Sequence, residues 1–313
     1  MTIIDTPDDV RTAPFDVHPA AGNIGAYIDG LDLAAPLEDA TAQALVDTLH
    51  RNKVLFFRDQ RLGHAEHIAF SRIFGRVTAS HPYDDDAPTE FPEILKVDNR
   101  DYERKFGVKA ASYTNEWHTD VTALVNPPAV TILRADTAPD RGGDTSWTNL
   151  AAAYAGLPKS LQDLVDGLRA EHRFGGRYPI FAADSSYGQK VQKTPLITDH
   201  PVVRVHPVTG EKLLFVQPGF TSRIVGYSRK QSDALLDLLF EEVTNPAYTV
   251  RFRWRNGSVA VWDNRATAHL APGDINHLDI HRTLYRTTVE GDIPVGPDGS
   301  PSVSISGDQF VGS

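Results

Sequence analysis

The feature that most constrains the fold is the second half of the chain, where short strand-like segments follow one another with no helices at regular intervals. These segments are rich in β-branched and aromatic residues and bounded by turn residues, and they lie at 202–205, 212–216, 248–254, 258–262 and 282–289. Pro207-Val-Thr-Gly210 and Arg255-Asn-Gly257 predict hairpins between neighbouring segments. Because parallel strands need a crossover connection, usually a helix, the pattern favours an antiparallel sandwich or barrel with helices packed outside.

Helical patterns lie mostly in the first half of the chain. Apolar residues on one face predict helices over 41–49 and 65–74, with a buried strand over 53–57 between them. A further helix is predicted over 161–168. Ser228-Arg-Lys-Gln231 is a capping box, which predicts the start of a leucine-rich helix.

The distribution of composition predicts one domain with loose ends. No internal repeat or low-complexity linker interrupts 16–293, so we predict a single domain there, mainly β with flanking helices and a double-stranded β-helix (jelly-roll) core. We expect a flexible N-terminus at 1–15 and a flexible C-terminal tail at 294–313, which is rich in Gly, Ser and Pro. No secretory signal region and no apolar run near the roughly 18 residues of a membrane span are found, so we expect a cytoplasmic protein that binds no membrane.

Composition also limits the chemistry. The chain has no cysteine, which excludes disulfides, thiolate zinc sites and a cysteine nucleophile, so any metal needs nitrogen and oxygen ligands. A formal net charge of −10 without a run of Lys or Arg argues against nucleic acid as a partner. It does not argue against a small anion, which needs only one or two cations. No phosphate-binding glycine loop and no Gly-X-Ser-X-Gly elbow is present, so nucleotide and serine-hydrolase chemistry have no support.

Two histidines and an aspartate form a candidate metal site. His118 and Asp120 are two residues apart, and on an extended segment both side chains project to the same side. With His269, which follows the predicted strand at 258–262, they give two histidines and one carboxylate, a set that leaves positions open on non-haem iron. The pair alone has low specificity, because such spacing often arises by chance. A zinc hydrolase or isomerase and a non-catalytic metal-binding protein stay open at this point.

Three longer stretches add context to this pair and occur in this order: Trp117-His-Thr-Asp-Val-Thr122, Arg141-Gly-Gly-Asp-Thr145-Ser-Trp147 and Val261-Trp-Asp-Asn-Arg-Ala-Thr-Ala-His269. On them the chain resembles the taurine dioxygenase family of iron(II)/2-oxoglutarate-dependent dioxygenases, which also includes alkylsulfatase-type and phenoxyalkanoate dioxygenases. The resemblance runs from about Ile24 to Gly291 and includes further matching stretches at 200–207 and 219–225. It implies Fe(II), 2-oxoglutarate and O2 as cofactors, and a homo-oligomer, a dimer or a tetramer.

The resemblance also implies a role for individual residues. It makes His118, Asp120 and His269 the catalytic iron ligands. It implies that Arg282 binds the distal carboxylate of 2-oxoglutarate, and that the Thr145 hydroxyl binds the same carboxylate. It implies that Arg286 and His81 bind the anionic head of the substrate. It also implies that the wall of the substrate pocket is lined by Val121, Tyr178 and Phe220.

The two arginines lie on the last predicted strand. Arg282 and Arg286 share one face with Leu284, and four residues of extended chain separate their Cα atoms by roughly 13 Å. By pattern alone a solvated face is the more common explanation, because arginine is rarely buried unpaired. The resemblance favours the active site instead, where a planar guanidinium suits a carboxylate because it donates two parallel hydrogen bonds.

The implied reaction couples oxidative decarboxylation of 2-oxoglutarate, to succinate and CO2, with hydroxylation of a C–H bond that Arg286 holds in position. The chain departs from taurine dioxygenase away from the anion-binding end: Thr114 stands for an Asn, Tyr178 for a Phe, and 83–87 read Tyr-Asp-Asp-Asp-Ala. We therefore expect a small organic anion as substrate. A taurine-like sulfonate that releases sulfite ranks first, and alkyl sulfate esters and aryloxyalkanoates are the alternatives.

Overall fold

The computed structural model describes residues 14–83, 87–107, 116–178 and 181–312, and within these ranges the chain forms sixteen β-strands and seven α-helices. The strands are β1 Asp16–Pro19, β2 Ala26–Asp29, β3 Val54–Phe57, β4 Leu95–Asp98, β5 Val130–Thr137, β6 Thr145–Asn149, β7 Arg169–Arg173, β8 Ile197–Pro201, β9 Val203–Val205, β10 Lys212–Leu214, β11 Thr221–Ile224, β12 Thr249–Phe252, β13 Val259–Asp263, β14 Thr267–Leu270, β15 Thr283–Val289 and β16 Val303–Ser306. The helices are α1 Asp39–Asn52, α2 His64–Ser71, α3 Tyr102–Phe106, α4 Leu150–Gly156, α5 Lys159–Val165, α6 Ser186–Lys193 and α7 Arg229–Val243. None of these helices is long and apolar enough to cross a membrane.

Two facing sheets form the centre of the molecule. One has seven strands in the order β1-β2-β3-β13-β5-β15-β4, and the other has three in the order β12-β6-β14. Their strand pairs are antiparallel except that of β2 with β3. Aromatic side chains fill the space between them: the Phe56 ring stacks on Phe252 at 4.3 Å, and Trp147 meets Trp262 edge-on at 5.5 Å. The predicted jelly-roll core with helices outside is confirmed.

The central strands of the seven-stranded sheet are buried on both faces. Along β3, Phe56 points into the space between the sheets while Leu55 points to the opposite face, because successive side chains of a strand alternate. β13 does the same with Trp262 and Val261. The second face packs against α1 through Leu49. This explains why the central strands read as continuous apolar runs rather than as alternating patterns.

The helical predictions are confirmed within a few residues at each end. α1 covers the predicted 41–49, α2 with a following 3-10 turn covers 65–74, and α5 begins two residues before the predicted 161. The capping box at the start of α7 is present: the Ser228 hydroxyl accepts from the Gln231 backbone, and the Gln231 side chain accepts from the Ser228 N–H at 3.1 Å. Local capping chemistry therefore sets this helix end as the sequence indicates.

The Asn-Gly signal at 255–257 makes a turn but not a hairpin, so that prediction is wrong. β12 before it pairs with β6, and β13 after it pairs with β3 and β5 in the other sheet. Gly257 has φ +75°, and a Cβ there would lie 2.8 Å from the Gln60 carbonyl oxygen, so the turn needs glycine. The chain crosses between sheets at this point, which local sequence cannot reveal. The other predicted hairpin, at 207–210, does join β9 to β10.

The C-terminal segment departs from the flexible tail expected at 294–313. β16 adds to the edge of a second, four-stranded sheet in the order β11-β7-β8-β16, and Val295 forms a bridge with Pro301. Phe310 is held through its backbone by Asn126. Backbone pairing with β8 outweighs the Gly, Ser and Pro content here. At the other end, 1–13 lie outside the described residues, while Phe15 is buried against the core.

Candidate active site

The three predicted metal ligands lie together beside β14. His269 is on β14, and His118 pairs with it as an isolated antiparallel bridge, with N–H···O distances of 3.0 and 2.7 Å. Their ring centroids are 4.2 Å apart. One ligand atom from each of His118, Asp120 and His269 lies within 4.8 Å of the others. Backbone pairing therefore joins residues that are distant in sequence, and the three side chains could hold one metal ion.

Both histidines have the protonation state that a metal ligand needs. His118 Nδ1 lies 2.7 Å from the Glu116 carbonyl oxygen, which can only accept, so Nδ1 carries the proton and Nε2 keeps its lone pair. Burial lowers the pKa of His118. Burial, and then the neighbouring His118, lowers the pKa of His269 to about 3. Both rings are therefore neutral near neutral pH, the form that binds a metal.

Asp120 is buried, and both of its carboxylate oxygens accept hydrogen bonds. Thr131 Oγ1 donates to Oδ2 at 2.7 Å, and Arg286 Nη1 donates to Oδ1 at 2.7 Å. Burial by itself would raise the pKa of Asp120, but the Arg286 guanidinium and the two histidines outweigh it and hold that pKa well below its usual range. Asp120 is therefore a carboxylate, a ligand type that suits iron(II).

A chain of hydrogen bonds fixes the orientation of Asp120 from behind. Thr131 Oγ1, which donates to Asp120, accepts in turn from Asn264 Nδ2 at 2.7 Å. Asn264 Oδ1 accepts from the Trp262 indole N–H at 2.8 Å. These residues lie on β5 and at the end of β13, the centre of the large sheet. Such outer contacts orient metal ligands, and the sequence motif does not reveal them.

The two residues expected to bind the cosubstrate lie close to each other. Arg282 Nη2 is 3.4 Å from Thr145 Oγ1, and both residues are buried. The Trp254 indole N–H donates to Thr145 Oγ1 at 3.0 Å, so the Thr145 proton is free to point elsewhere. Gly143 has φ +67°, and a Cβ there would lie 2.9 Å from Arg282 Cδ. The glycine therefore leaves room for the arginine, and Trp254 orients its partner hydroxyl.

Arg282 is positioned by the strand beside it. Asn99 Oδ1 accepts from the Arg282 backbone N–H at 2.9 Å, and Asn99 Nδ2 donates to the Ile280 carbonyl at 2.8 Å. β15 has an irregularity in register between Thr283 and Leu284. Even so, Arg282, Leu284 and Arg286 all line one cavity. The prediction that they share a face is confirmed, and the alternative of a solvated face is wrong.

That cavity, which we call the substrate cavity, has a volume of about 460 Å³. Besides the polar end and the apolar wall described next, its lining includes the charged residues Lys96, Asp98, Asp101, Arg104, Lys105, Glu116 and Lys190. Its polar end is lined by His81, His118, Asp120, Thr145, His269, Arg282 and Arg286. Its apolar wall is lined by Tyr83, Phe174, Phe181, Tyr187 and Phe220. Several buried nitrogens at the polar end find no hydrogen-bond partner in the described part of the chain, and they are His269 Nδ1, Arg282 Nε, Arg286 Nε and Arg286 Nη2. Buried donors without partners mark places where a ligand can bind.

His81 lines the cavity as a neutral hydrogen-bond donor. The Tyr83 backbone N–H donates to His81 Nδ1 at 3.1 Å, so Nδ1 carries the lone pair and Nε2 the proton. Burial, followed by the positive charge of Arg286, lowers the pKa of His81 to about 3. Edge contacts with Phe174, at 5.7 Å between centroids, hold the ring. His81 can therefore donate to an anion without carrying a charge itself.

Two further predicted pocket residues are in place. Phe220 lies 6.2 Å from the His118 ring and 5.1 Å from Phe174, between the metal ligands and the apolar wall. Val121 follows Asp120 directly, is buried, and has φ +48°. That left-handed conformation is costly for a β-branched residue, and such strain is typical of residues at functional sites.

Tyr178 was predicted to line the pocket, and this is wrong. Its side chain is 72% exposed and it does not border the substrate cavity. The preceding residue explains the difference. Arg177 pairs with Asp237 at 2.6 Å and lies over the Phe240 ring at 5.0 Å, so this segment is drawn onto α7. Phe174, earlier in the same segment, takes the wall position instead.

Several residues of the site have no counterpart in the sequence prediction. Phe174 and Tyr187 in the wall, and Thr131 behind Asp120, were missed. Only Phe174 has a usable signal, the Gly175-Gly176 pair that follows it. Gly176 has φ +50°, and a Cβ there would clash with a backbone carbonyl near Phe220. Thr114 and the acidic residues 84–86, which also differ from taurine dioxygenase, lie outside the described residues.

The donor set fits iron(II) and 2-oxoglutarate. Two neutral imidazoles and a carboxylate lie close enough together to hold one ion, all three residues line the cavity, and no further His, Asp or Glu joins this group among the described residues. Arg282 and Thr145 lie side by side as the resemblance implies for a carboxylate-binding pair, which a zinc hydrolase would not need. The fold and site thus define a non-haem iron(II) dioxygenase that uses 2-oxoglutarate.

Comparison with known proteins gives the family. The family described as taurine catabolism dioxygenase TauD, TfdA family matches residues 16–288, and the chain belongs to it. A 2-oxoglutarate-dependent sulfate ester dioxygenase from Pseudomonas putida is 40% identical, over 94% of this chain and 96% of that protein. An alkylsulfatase from Acinetobacter baylyi is 36% identical, over 95% and 90%. A taurine dioxygenase structure from Burkholderia xenovorans is 46% identical with a TM-score of 0.80, over 94% and 95%. The enzyme is an oxidoreductase whose cofactors are Fe(II), 2-oxoglutarate and O2.

Proposed function

We propose that this enzyme hydroxylates alkyl sulfate esters at the carbon that bears the sulfate oxygen. One observation carries the proposal: a cavity of about 460 Å³ joins an anion-binding end to a long wall of aromatic rings. A substrate that uses both features has an anionic group at the anion-binding end and an apolar chain along the aromatic wall.

The anion-binding end suits a tetrahedral oxyanion. Arg286 Nε and Nη2 are buried donors with no partner in the described part of the chain, and His81 Nε2–H adds a third donor from another direction. A terminal sulfate has three oxygens that accept hydrogen bonds, and donors from two side chains reach a tetrahedral group more readily than a planar carboxylate. Since His81 is neutral, Arg286 is the cation of this pair, and it shares its charge between the bound anion and Asp120.

The apolar wall selects for a substrate larger than taurine. Phe174 packs against Tyr83, Tyr187 and Phe220 at centroid distances of 4.8, 6.1 and 5.1 Å, which forms a continuous aromatic surface. Each methylene buried there contributes about 0.8 kcal/mol of binding free energy. The ammonium group of taurine would instead lose its hydration against these rings, which costs free energy unless it is paired.

We propose that His118, Asp120 and His269 hold Fe(II), and that Arg282 and Thr145 hold the distal carboxylate of 2-oxoglutarate. When bound, iron(II) with 2-oxoglutarate and O2 supplies an oxidant that places one oxygen atom on a substrate carbon and the other in succinate. The protein's own part is orientation and exclusion of water. Arg286 and His81 hold the sulfate so that the adjoining carbon lies beside the metal ligands.

The products of this reaction follow from the bonds that form and break. Hydroxylation converts R–CH2–O–SO3⁻ into a carbon that carries both a hydroxyl and the sulfate oxygen. The bond from carbon to the sulfate oxygen then breaks, the hydroxyl proton is lost, and an aldehyde and sulfate are released. 2-Oxoglutarate leaves as succinate and CO2. The electrons that reduce O2 come from the decarboxylation and from the C–H bond, so no other reductant is needed.

The names of two relatives, a sulfate ester dioxygenase and an alkylsulfatase, support this proposal. A sulfonate, ranked first from sequence, becomes the second candidate. The taurine dioxygenase structure favours it, and the same anion-binding end would accept a sulfonate head. It would release sulfite instead of sulfate, which separates the two candidates in an assay.

The test is a chain-length series. Linear alkyl sulfates of about two to eight carbons, the matching alkyl sulfonates and taurine are assayed for succinate formation and for sulfate or sulfite release. We expect kcat/KM for the sulfates to rise about fourfold per added methylene until the wall is covered, because each is worth about 0.8 kcal/mol. Taurine should be a poor substrate.

Two outcomes contradict the proposal. Faster turnover of taurine than of hexyl sulfate would show that the wall does not select the chain. Stimulation of succinate formation by aryloxyalkanoates but not by any sulfur compound would show that the enzyme acts on carboxylate substrates.

Arg286→Gln, with Arg229→Gln on the exposed face of α7 as its matched control, should raise the KM for every accepted anion.

A further inference from the structure

The loop Val121–Asn126, which directly follows the ligand Asp120, is buried at every residue and strained at its start. A valine at φ +48° is in a strained conformation, which persists only when its surroundings fix it. The metal ligands lie before the loop and cannot fix its far end. The first half of the loop is held by other elements: His172 on β7 and Gln217 bond the Thr122 hydroxyl, and Thr198 on β8 donates to the Ala123 carbonyl. The far end is held by the C-terminal segment 302–312, which we call the strap.

The first contact runs through a buried histidine. His200 Nε2 lies 2.8 Å from the Thr122 carbonyl oxygen, and its Nδ1 lies 2.6 Å from the Ser302 hydroxyl. The carbonyl can only accept, so Nε2 carries the proton and Nδ1 accepts from Ser302. Burial lowers the pKa of His200 to about 3, which keeps this arrangement in its neutral form. The strap is thereby linked to a residue two positions after Asp120.

The second contact is at the other end of the loop. Asn126 Nδ2 donates to the Phe310 carbonyl at 3.0 Å, and the Phe310 N–H donates to Asn126 Oδ1 at 2.9 Å. A side-chain amide thus pairs with a backbone amide as a neighbouring strand would. Asn126 is 3% exposed, so both bonds are shielded from water.

The strap also reaches the substrate cavity. The Phe310 side chain packs against the cluster that holds Val121, Leu124, Phe174 and Phe220. Beyond it, Gly312 N donates to Glu290 at 2.9 Å and forms a bridge with Thr78, which anchors the end of the strap to the large sheet. The strap is therefore held at both ends and lies behind the wall that faces the substrate.

We infer that the strap determines substrate specificity: it holds the Asn126 end of the Val121–Asn126 loop and packs Phe310 behind the loop, and so sets the position of the apolar wall. Ser302, Asn126 and Phe310 are positioning residues. The inference rests on the proposed function for its readout, because it concerns the wall that the alkyl chain would touch. The strap lies beyond residue 288, where the family match ends, so the shared core alone does not supply it.

The iron and cosubstrate positions should not depend on the strap. Asp120 is oriented by Thr131, and His118 by its bridge to His269 on β14. Arg282 is fixed by Asn99. None of these contacts involves 302–312, so loss of the strap should separate substrate binding from iron and 2-oxoglutarate binding.

The experiment compares a chain shortened to end at Gly307 with three point variants. Phe310→Ala removes the packing, Asn126→Asp keeps one of the two bonds to the strap, and Phe310→Leu is the conservative variant. We expect the shortened chain and Phe310→Ala to raise the KM for hexyl sulfate about tenfold or more, because small misplacement of a substrate has large effects. The fraction of 2-oxoglutarate consumed without sulfate release should also rise. Phe310→Leu should recover most of the wild-type behaviour.

The anaerobic visible band of the iron(II)–2-oxoglutarate chelate and the KM for 2-oxoglutarate should change by less than about twofold. Unchanged substrate KM and coupling in a folded shortened chain would overturn the inference. So would an equal loss of chelate band and substrate binding in all variants, since the strap would then be a general scaffold. Wild type is assayed first on the sulfate and sulfonate series. No turnover of alkyl sulfates there counts against the proposed function alone, and the strap variants are then measured on whichever anion is turned over.

Discussion

Two proposed parts of the site are held by different kinds of contact. We call them the iron half (His118, Asp120, His269, Thr145 and Arg282) and the substrate half (His81, Phe174, Tyr187 and Phe220). Each residue of the iron half is tied by hydrogen bonds to strands of the two central sheets or to residues that directly follow them. The substrate half is held mostly by ring contacts between segments that connect those strands.

This difference separates what the chemistry requires from what the substrate requires. Directional hydrogen bonds on strands hold ligand atoms to within fractions of an ångström, as oxygen activation at a metal needs. Aromatic packing is less directional, so a change of one ring alters the shape of the wall without disturbing the metal. The iron half can therefore serve many substrates, while the substrate half is free to vary.

The largest predicted effect is on the binding of 2-oxoglutarate, with the binding of the primary substrate nearly unchanged. Arg282→Gln removes a buried guanidinium that pairs with Thr145 and, by our proposal, with the distal carboxylate of 2-oxoglutarate. We expect the KM for 2-oxoglutarate to rise on the order of 10²–10³-fold, since truncating one partner of a buried charge pair costs several kcal/mol. Initial rates against 2-oxoglutarate concentration measure this.

Arg229→Gln, an exposed arginine on α7, is the control and should leave both KM values unchanged. The KM for hexyl sulfate, measured at saturating 2-oxoglutarate, should stay within about threefold in Arg282→Gln. An equal rise of both KM values would mean that the two halves are not independent.

The iron half and the substrate half also differ in how well they could be predicted from the sequence. His118, Asp120 and His269 were predictable because strands impose a fixed two-residue period and a family pattern fixes their order. The two-residue period predicted a shared face for Arg282 and Arg286, but only the resemblance placed that face in the site, since the pattern alone favoured a solvated one. These predictions needed only local geometry and the resemblance.

The substrate half could not be predicted in this way. Tyr178 was assigned to the wall from its position in the family pattern, yet the ion pair of the adjacent Arg177 with Asp237 turns that segment outward. Phe174 and Tyr187 meet only through tertiary packing. The hairpin expected at Asn256-Gly257 failed for a related reason, because the choice of sheet for a strand is a long-range property.

A second prediction sharpens the iron half. Thr131→Val keeps the shape of the side chain but removes the hydroxyl that donates to Asp120 Oδ2 at 2.7 Å. We expect divalent metal affinity to fall about tenfold or more, the usual effect of losing an outer hydrogen bond to a ligand. Titration of the apoprotein with Co(II), followed by its visible absorption, measures this without turnover. Thr131→Ser should bind Co(II) like wild type, and equal affinity in all three proteins would show that Asp120 needs no such support.

A third prediction tests the substrate half. Phe174→Ala removes a ring that contacts Tyr83, His81 and Phe220 in the wall. We expect kcat/KM for hexyl or octyl sulfate to fall about tenfold, and that for ethyl sulfate to change little, because only the longer chain reaches the ring. The Co(II) affinity should be unchanged. Tyr178→Ala, an exposed aromatic in the same segment, is the matched control. A uniform loss across chain lengths would show that Phe174 supports the fold rather than the chain.

The smallest predicted effect is the absence of a pH dependence in anion binding. Burial lowers the pKa of His81 to about 3, so its ring is neutral and its Nε2–H is a donor at every pH above about 4. An alkyl sulfate is a monoanion throughout this range. The Kd of the iron-loaded enzyme for hexyl sulfate should therefore stay constant between about pH 5.5 and about pH 8. A Kd that weakens as the pH rises through about 6.5 would mean that His81 binds as a cation.

The free energy of unfolding must be measured in the same experiment, because, unlike the Kd, it is expected to change with pH. His81 and His200 have folded-state pKa values of about 3, below the unfolded value of 6.5. The unfolded chain therefore binds more protons as the pH falls below about 6.5, and the free energy of unfolding decreases toward acid pH. Urea unfolding at each pH defines the window in which the protein is folded. Within that window we expect a constant Kd and a free energy of unfolding that falls with pH. This result would mean that the buried histidines make the stability of the protein pH-dependent, while anion binding is not pH-dependent.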